Sequence, residues 1–167
     1  MLVELKKLKI EDAKTLMNLI KDKDVLYNME APFLVDDITI DFEKSFLEGE
    51  IKGNITGDKI SFGIYFNDIL VGVIGSREIT ESKVEFGYWI GKNYWGKGIG
   101  SNAVRLFING VFEKFPEKKL IAIAYSINPA SVKVLEKNGF KKYKEEKTKH
   151  NISGEEVVDL FYELKKN

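Results

Sequence analysis

Cysteine is missing from all 167 residues, which excludes disulfides, thiolate-held metals and an acyl group carried on a protein sulfur. Histidine occurs once, as His150, so a histidine-rich metal cluster or a Ser/His/Asp triad has almost no material to draw on, and no metal is expected. Neither sign of charge dominates: 26 Lys plus Arg balance 26 Asp plus Glu. No global field therefore recommends nucleic acid or a membrane surface, and any positive site must be local. No apolar run approaches the length of a membrane span, and "MLVELKKLKIEDA" alternates apolar with charged residues where a signal segment would be continuous. A soluble, cytoplasmic protein is expected. With three prolines and no repeat or low-complexity tract, residues 1–167 read as one domain, long enough to bury a core unaided.

What is present is a mixture of two periodicities. "LVELKKL" reads as a short strand, and "EDAKTLMNLIKD" follows with Ala13, Leu16, Met17 and Ile20 at helical spacing. Residues 23–58 are less regular, with "MEAPFLVDD" as a loop and "IDFEKSFLEGEI" as a helix. Then "KISFGIYF" and "ILVGVIGSREI" flank Asn67-Asp68, a two-residue hairpin turn, and "KVEFGYWI" makes a third antiparallel strand. A helix with Ala103, Leu106, Phe107, Gly110 and Val111 on one face ends near Pro116, and "KLIAIAYSI" is an apolar strand. Strand, helix, strand in that order requires a crossover, so 84–90 and 120–127 are expected to run parallel. "NPASVKVLEKNGF" carries its own punctuation: Asn128 as N-cap, Pro129 first in the helix, Val132 and Leu135 inward, Asn138-Gly139 closing it. The tail reads as two strands joined by "HNISG". The class is mixed α/β.

The segment "YWIGKNYWGKGIGSNAV" admits three readings. Residues 91–98 nearly give the phosphate loop GxxxxGK[ST], but Gly98 stands where the magnesium-holding hydroxyl belongs. Residues 98–103 give GxGxxA, yet seven residues separate Ile90 from Gly98, and the next strand ends "YSIN" with no acid for a ribose. Residues 95–100, "WGKGIG", give aromatic-x-x-Gly-x-Gly entering a helix. There the unpaired amides and the helix dipole suit a diphosphate, the glycines remove obstructing β-carbons, and Lys97 adds a full charge. A plain tight turn is the structural alternative.

"FGYWIGKNYWGKGIGSNAVRLFINGVFEKF" followed by "NPASVKVLEKNGF" resembles the GNAT superfamily of acetyl-CoA-dependent N-acetyltransferases, and within it the Rim-type branch that acetylates ribosomal-protein amino termini. The resemblance is strong over about residues 80 to 145. It implies a single-domain fold with a central, twisted, mostly antiparallel sheet, two splayed parallel strands forming a V-shaped cleft, and about four flanking helices. It implies further that Trp95, Gly96, Lys97, Gly98, Ile99 and Gly100 wrap the diphosphate of acetyl-CoA. Tyr88, Trp89 and Ile90 would pair with the pantetheine arm, and Asn128 would touch the coenzyme. An amide near Ile90 would polarise the thioester carbonyl. A homodimer is a further implication, although no apolar surface stripe in the sequence demands it.

Three positions depart from the family pattern: Trp95 begins the loop, Asn102 replaces a common glutamate, and Leu135 stands where many relatives carry a tyrosine acid. Without cysteine the amine must attack the bound acetyl group directly, which calls for a proton acceptor and a proton donor. Glu85 is the first candidate base, because strand alternation sets it beside Gly87 and Trp89, away from Val84, Phe86, Tyr88 and Ile90; pairing with a lysine is its alternative. Ser131 is the candidate acid, with Tyr125 behind it. Lys97, Lys133 and Lys137 are candidates for the 3′-phosphate, and Glu30, Asp36 and Asp37 for an acidic lip. His150 reads as a surface residue more than as a base. The expected acceptor is a protein N-terminal α-amine. A small amine such as a polyamine or aminoglycoside, and an inactive coenzyme-binding module, are the alternatives.

Overall fold

A computed structural model describes Met1–Asn167. The strands are β1 (Val3–Lys6), β2 (Ser61–Phe66), β3 (Ile69–Ile79), β4 (Lys83–Ile90), β5 (Lys119–Tyr125), β6 (Lys141–Lys149) and β7 (Glu156–Leu164). The helices are α1 (Ala13–Ile20), α2 (Lys23–Asn28), α3 (Ile40–Thr56), α4 (Ile99–Lys114) and α5 (Pro129–Lys137). One sheet orders the strands β1-β2-β3-β4-β5-β7-β6. Every neighbour pair is antiparallel except β4 and β5, which are parallel as the crossover demands. The mixed α/β fold is the expected one, with α2 as an additional short helix.

Local chemistry explains most of these elements. Asn67 and Asp68 both hold positive φ (48° and 66°), the left-handed pair a two-residue β2–β3 hairpin requires. The Asn128 side chain accepts from the Ser131 amide to start α5, and Gly139 at φ 85° follows its end. Helix α2 starts the same way, with Asp22 Oδ1 accepting from the amides of Asp24 and Val25.

The sheet carries helices on both faces. On one, Ala103, Val104, Phe107, Ile108 and Val111 of α4 pack on Ile64, Ile74, Val84 and Phe86, with Leu135 of α5 in the same core. The buried stripe of α4 is rotated from the expected one, since Gly110 is exposed and Leu106 only half-buried. On the other face, Leu16 of α1 and Leu47 of α3 pack on Leu70 and Val73. Trp89 joins this second side, so β4 alternates as its sequence implies: Phe86 and Ile90 toward α4, Trp89 toward α1 and α3.

His150 is a correction to the sequence reading. It is 1% exposed, its ring lies 4.2 Å from that of Tyr27, and Nδ1 accepts from the amides of Ile152 and Ser153. The ring proton therefore sits on Nε2, which donates to the Tyr27 carbonyl at 2.8 Å. Asn151 adds a bond from Nδ2 to the Glu30 carbonyl at 2.9 Å. Together they strap the end of α2 to the β6–β7 turn, a contact between segments that sequence separation hides. His150→Ala strands that carbonyl and two amides, and should lower unfolding stability by about 2–3 kcal/mol in urea denaturation. A loss below about 0.5 kcal/mol, the size of an ordinary surface change, would refute the strap.

Candidate active site

Strands β4 and β5 are paired only from Lys83↔Lys119 to Phe86↔Ala122, and then part. Each keeps its other neighbour: β4 stays with β3 as far as Gly72↔Ile90, and β5 stays with β7 as far as Tyr125↔Asp159. Beyond Phe86 an open fork results. The Gly91 amide donates to Val71 on β3, so alternation turns the main-chain groups of Tyr88 and Ile90 away from β3 and into the fork. The Ile90 carbonyl accepts from Trp95 Nε1 at 2.7 Å, which ties the following loop to the strand end. The Ile90 amide faces the opening.

Two helices begin at this fork. α4 starts after Gly98, whose φ of 74° is a left-handed conformation that a side chain would strain, and no side chain caps it. The amides of Ile99, Gly100 and Ser101 are thus available to an anion, with the helix dipole behind them. α5 starts beside it at Asn128, whose Oδ1 caps Ser131 while Nδ2 reaches the Asn28 carbonyl at 3.4 Å.

A cleft of about 370 Å3 runs between these helix starts. Its walls include Tyr88, Trp89, Ile90, Trp95, Gly96, Gly98, Ile99, Gly100, Asn128 and Ser131, which the sequence places up to 43 positions apart. Lys97 is not itself part of the wall, but its Nζ lies 5.4 Å from the centre of the ring of Tyr94, which is; Lys133 lines the cleft and Lys137 does not. The Tyr88 hydroxyl is 3.5 Å from Ser131 Oγ. Burial raises the pKa of that phenol, and Ser131 partly offsets the rise.

The pattern that defines the acetyltransferase (GNAT) domain matches residues 3–141. The chain belongs to the GNAT acetyltransferases. It is 28% identical over 141 residues to an uncharacterized N-acetyltransferase, p20, of Bacillus licheniformis, across 83% of this chain and 78% of that protein. Its fold matches the microcin C7 self-immunity acetyltransferase MccE, solved with acetyl-CoA and AMP, at a TM-score of 0.83 and 22% identity over 97% of this chain and 91% of that one. It also matches RimL, a ribosomal L7/L12 α-N-protein acetyltransferase solved with coenzyme A, at 0.82 and 18% identity over 97% and 93%. This GNAT protein is therefore an acyltransferase.

Within the GNAT fold, Glu85 stands apart from the cleft. It lies on the still-paired part of β4, opposite Ile121, and its carboxylate is 3.6 Å from Lys83 Nζ. Its strand neighbour Gly87 is covered by Arg77: a β-carbon there would come within 2.9 Å of the guanidinium Nε. Arg77 in turn donates to the Tyr125 hydroxyl at 3.3 Å, so Tyr125 sits at the fork as a partly exposed polar group instead of a core aromatic.

The acidic groups at the mouth also differ from the expected set. Asp36 and Asp37 are exposed, and Asp37 is spent on capping the Leu34 amide. Glu30 is joined instead by Asp159 of β7, whose Oδ1 is buried without a partner. Both carboxyls are pushed above the ordinary range, Glu30 by burial and then by Asp159, and Asp159 by burial and then by Glu146.

Sequence reading misses Glu43 altogether. It is 2% exposed on the sheet-facing side of α3, and burial alone raises its pKa from 4.5 to about 7. The available signal is an acid at i and i+7, Glu43 and Glu50, on the face that buries Leu47. Because the folded carboxyl keeps its proton to higher pH than the unfolded one, its contribution to stability is full below about 4.5 and lost as pH rises through about 7. Between about pH 5 and pH 8, Glu43→Gln should flatten the decline by about 2 kcal/mol relative to the parent, after allowance for solvent in the adjoining cavity. Parallel stability–pH profiles with the same slope would show that Glu43 titrates as an exposed acid.

Proposed function

We propose that this GNAT domain, acting over residues 1–167 as one unit, moves the acetyl group from acetyl-CoA directly to a primary amine, and that the amine is the N-terminal α-amine of a protein. The observation that carries the reading is the open fork, where the Ile90 amide, the uncapped start of α4 and the Ser131 hydroxyl border one cleft. The resemblance to RimL suggests the kind of acceptor. The absence of cysteine favours direct transfer over an acyl-enzyme.

In this reading Trp95, Gly96, Gly98, Ile99 and Gly100 cradle the diphosphate, with Lys97 adding charge from the loop. The strand end Tyr88, Trp89 and Ile90 aligns the pantetheine arm, and Asn128 touches the coenzyme while capping α5. The substrate ammonium first loses a proton. Its nitrogen then forms a C–N bond at the acetyl carbon, the C–S bond breaks, and coenzyme A leaves as a thiolate. The Ile90 amide donates to the carbonyl oxygen as charge builds there. Ser131, backed by the Tyr88 hydroxyl, supplies the thiolate with a proton, the task that Leu135 leaves vacant, and the second proton, shed by the nitrogen as the amide forms, returns through solvent to restore the serine hydroxyl. Glu85, on the paired part of β4 and outside the cleft wall, has no part in it. The acids Glu30 and Asp159 favour a cationic acceptor of any size, which sustains a small amine such as a polyamine as the second reading.

The cysteine-free chain contributes no background thiol, so acetyl-CoA turnover can be followed by thiol release against ribosomal-protein N-terminal peptides and polyamines. Thiol release with the peptides and little with polyamines is the expected result. Tight coenzyme binding with no thiol released for any amine would mean an inactive binding module. Two variants locate the chemistry. Gly98→Val should weaken coenzyme affinity by about tenfold or more, since it strains the α4 start. Ser131→Ala should lower kcat by about tenfold to a hundredfold with coenzyme affinity unchanged. Unaltered affinity in Gly98→Val would place the phosphates elsewhere.

A further inference from the structure

On the face of β4 opposite the α4 core lies a second cavity, of about 400 Å3, roofed by α3. Its floor includes the cross-strand pair Gly75↔Gly87, covered in turn by neighbours, since a β-carbon at Gly75 would come within 2.9 Å of Ser61 Oγ and one at Gly87 within 2.9 Å of Arg77 Nε. Its walls are largely apolar: Met29, Phe33, Phe42, Phe46 and Trp89, with Phe33 and Phe42 edge to face at 5.0 Å. It shares Met29, Arg77, Gly87 and Tyr88 with the small cavity inside the fork, and Met29, Tyr88 and Trp89 with the coenzyme cleft. The three spaces therefore meet around Met29 and Tyr88.

Glu43 lines this cavity. Seven residues further along the same face, Glu50 provides an internal comparison. It is also buried, yet it is bonded to Lys59 Nζ and Ser61 Oγ. Glu43 has no hydrogen bond or ion pair within the protein. The charged groups around it are committed: Lys59 to Glu50, and Arg77 to the Tyr125 hydroxyl with its field on Glu30 and Asp159. The other nearby polar groups are Ser76 and the Tyr88 phenol. A carboxyl serving only the fold would be satisfied as Glu50 is, because a buried group without a partner is destabilising.

We propose that this cavity is the acceptor site, that it takes a primary ammonium carried on an apolar or aromatic body, and that Glu43 receives the proton of that ammonium. The proposal rests on direct transfer to an amine as set out above. The apolar body lies against Phe33, Phe42, Phe46 and Trp89, and the ammonium pairs with Glu43 on the Tyr88 side of the cavity, because the Arg77 guanidinium covers Gly87. The proton passes from nitrogen to the Glu43 carboxylate, the free amine attacks the acetyl carbon, and Glu43 returns its proton to solvent. A base that titrates near neutrality suits this step, since it is ionised at working pH and still basic. The chemistry is shared by an arylalkylamine and by a peptide that begins with a large apolar residue.

The test titrates 2-phenylethylamine, ethanolamine, and peptides beginning with Phe or Ser into the coenzyme-A-saturated protein, and into Glu43→Gln, with circular dichroism and coenzyme affinity as checks on folding. Thiol release from acetyl-CoA is then followed across pH. Phenylethylamine and the Phe peptide should bind about tenfold more tightly than their polar counterparts and lose about tenfold in Glu43→Gln. Turnover should rise through about pH 7 in the parent, and Glu43→Gln should lose about a hundredfold in kcat/KM and that rise. The better of the two apolar acceptors identifies the source. Should Glu43→Gln not fold, Phe46→Ala at the rim should weaken phenylethylamine and spare ethanolamine. Equal binding by the variant, or equal binding of apolar and polar amines, overturns the assignment, as does unimpaired turnover in Glu43→Gln. Glu43-dependent binding with no thiol released by any amine would instead refute acetyl transfer and leave the amine site standing.

Discussion

The parting of β4 from β5 beyond Phe86 and Ala122 is the constraint on which the rest depends. A parallel pair that stayed together would consume its own amides and carbonyls. Here each strand is satisfied on its far side, β4 by β3 and β5 by β7, so the sheet remains a sheet while one seam opens. The opened seam is stable because β3–β4 and β5–β7 are long antiparallel ladders, and because Phe86 itself is fixed in the core, its ring 5.0 Å from that of Phe107. Main-chain groups at the end of β4 are thereby exposed without leaving buried donors unmatched across the fold, as an internal opening normally would.

The two helices that begin at the fork follow from the same opening. The chain leaves Ile90, is held by the Trp95 indole on the Ile90 carbonyl, and turns through Gly96 and Gly98 at φ 72° and 74° into α4. After the crossover, β5 ends and Asn128 starts α5 beside it. Asn138 at the far end of α5 donates to the Ser101 carbonyl and hydroxyl, so the two helices are fixed to one another as well as to the sheet. One side chain, Asn128, both starts α5 and reaches across to the Asn28 carbonyl, which couples the cleft wall to α2.

What the sequence makes legible is whatever is written within a few residues. The Asn-Asp hairpin, the Asn-Pro start and Asn-Gly end of α5, and the glycine loop before α4 all carry their mechanism in adjacent positions, and the structure bears out those turns and caps. What is hidden depends on distant partners. α2 is only six residues long, and its Asp22 cap lies in a lysine-rich stretch that offers no apolar period. His150 is polar in a turn, and nothing local says that Tyr27, 123 positions away, will cover it. Glu85 has the right alternation, but where two parallel strands cease to pair is a property of their outer neighbours and not of either strand. Glu43 reads as an ordinary helix-surface acid until α3 is docked.

A formal net charge of zero conceals a division of field across β4. On one face, the uncapped start of α4 presents partial positive charge, with Lys133 on the same cleft wall. On the other, Glu43 has no bonded partner in a cavity that Arg77 also lines, while Glu30 and Asp159, nearer the β7 side of the fork, have pKa values raised by burial and by neighbouring acids. Burial leaves such charges little screened, and it also raises the carboxyl pKa values, so the acidic side gains its full field only when the carboxyls are ionised. An anionic donor and a cationic acceptor would thus be drawn to opposite sides of one strand and brought together at the Gly87–Ile90 opening. In that arrangement neither substrate needs to pass the other's charged wall.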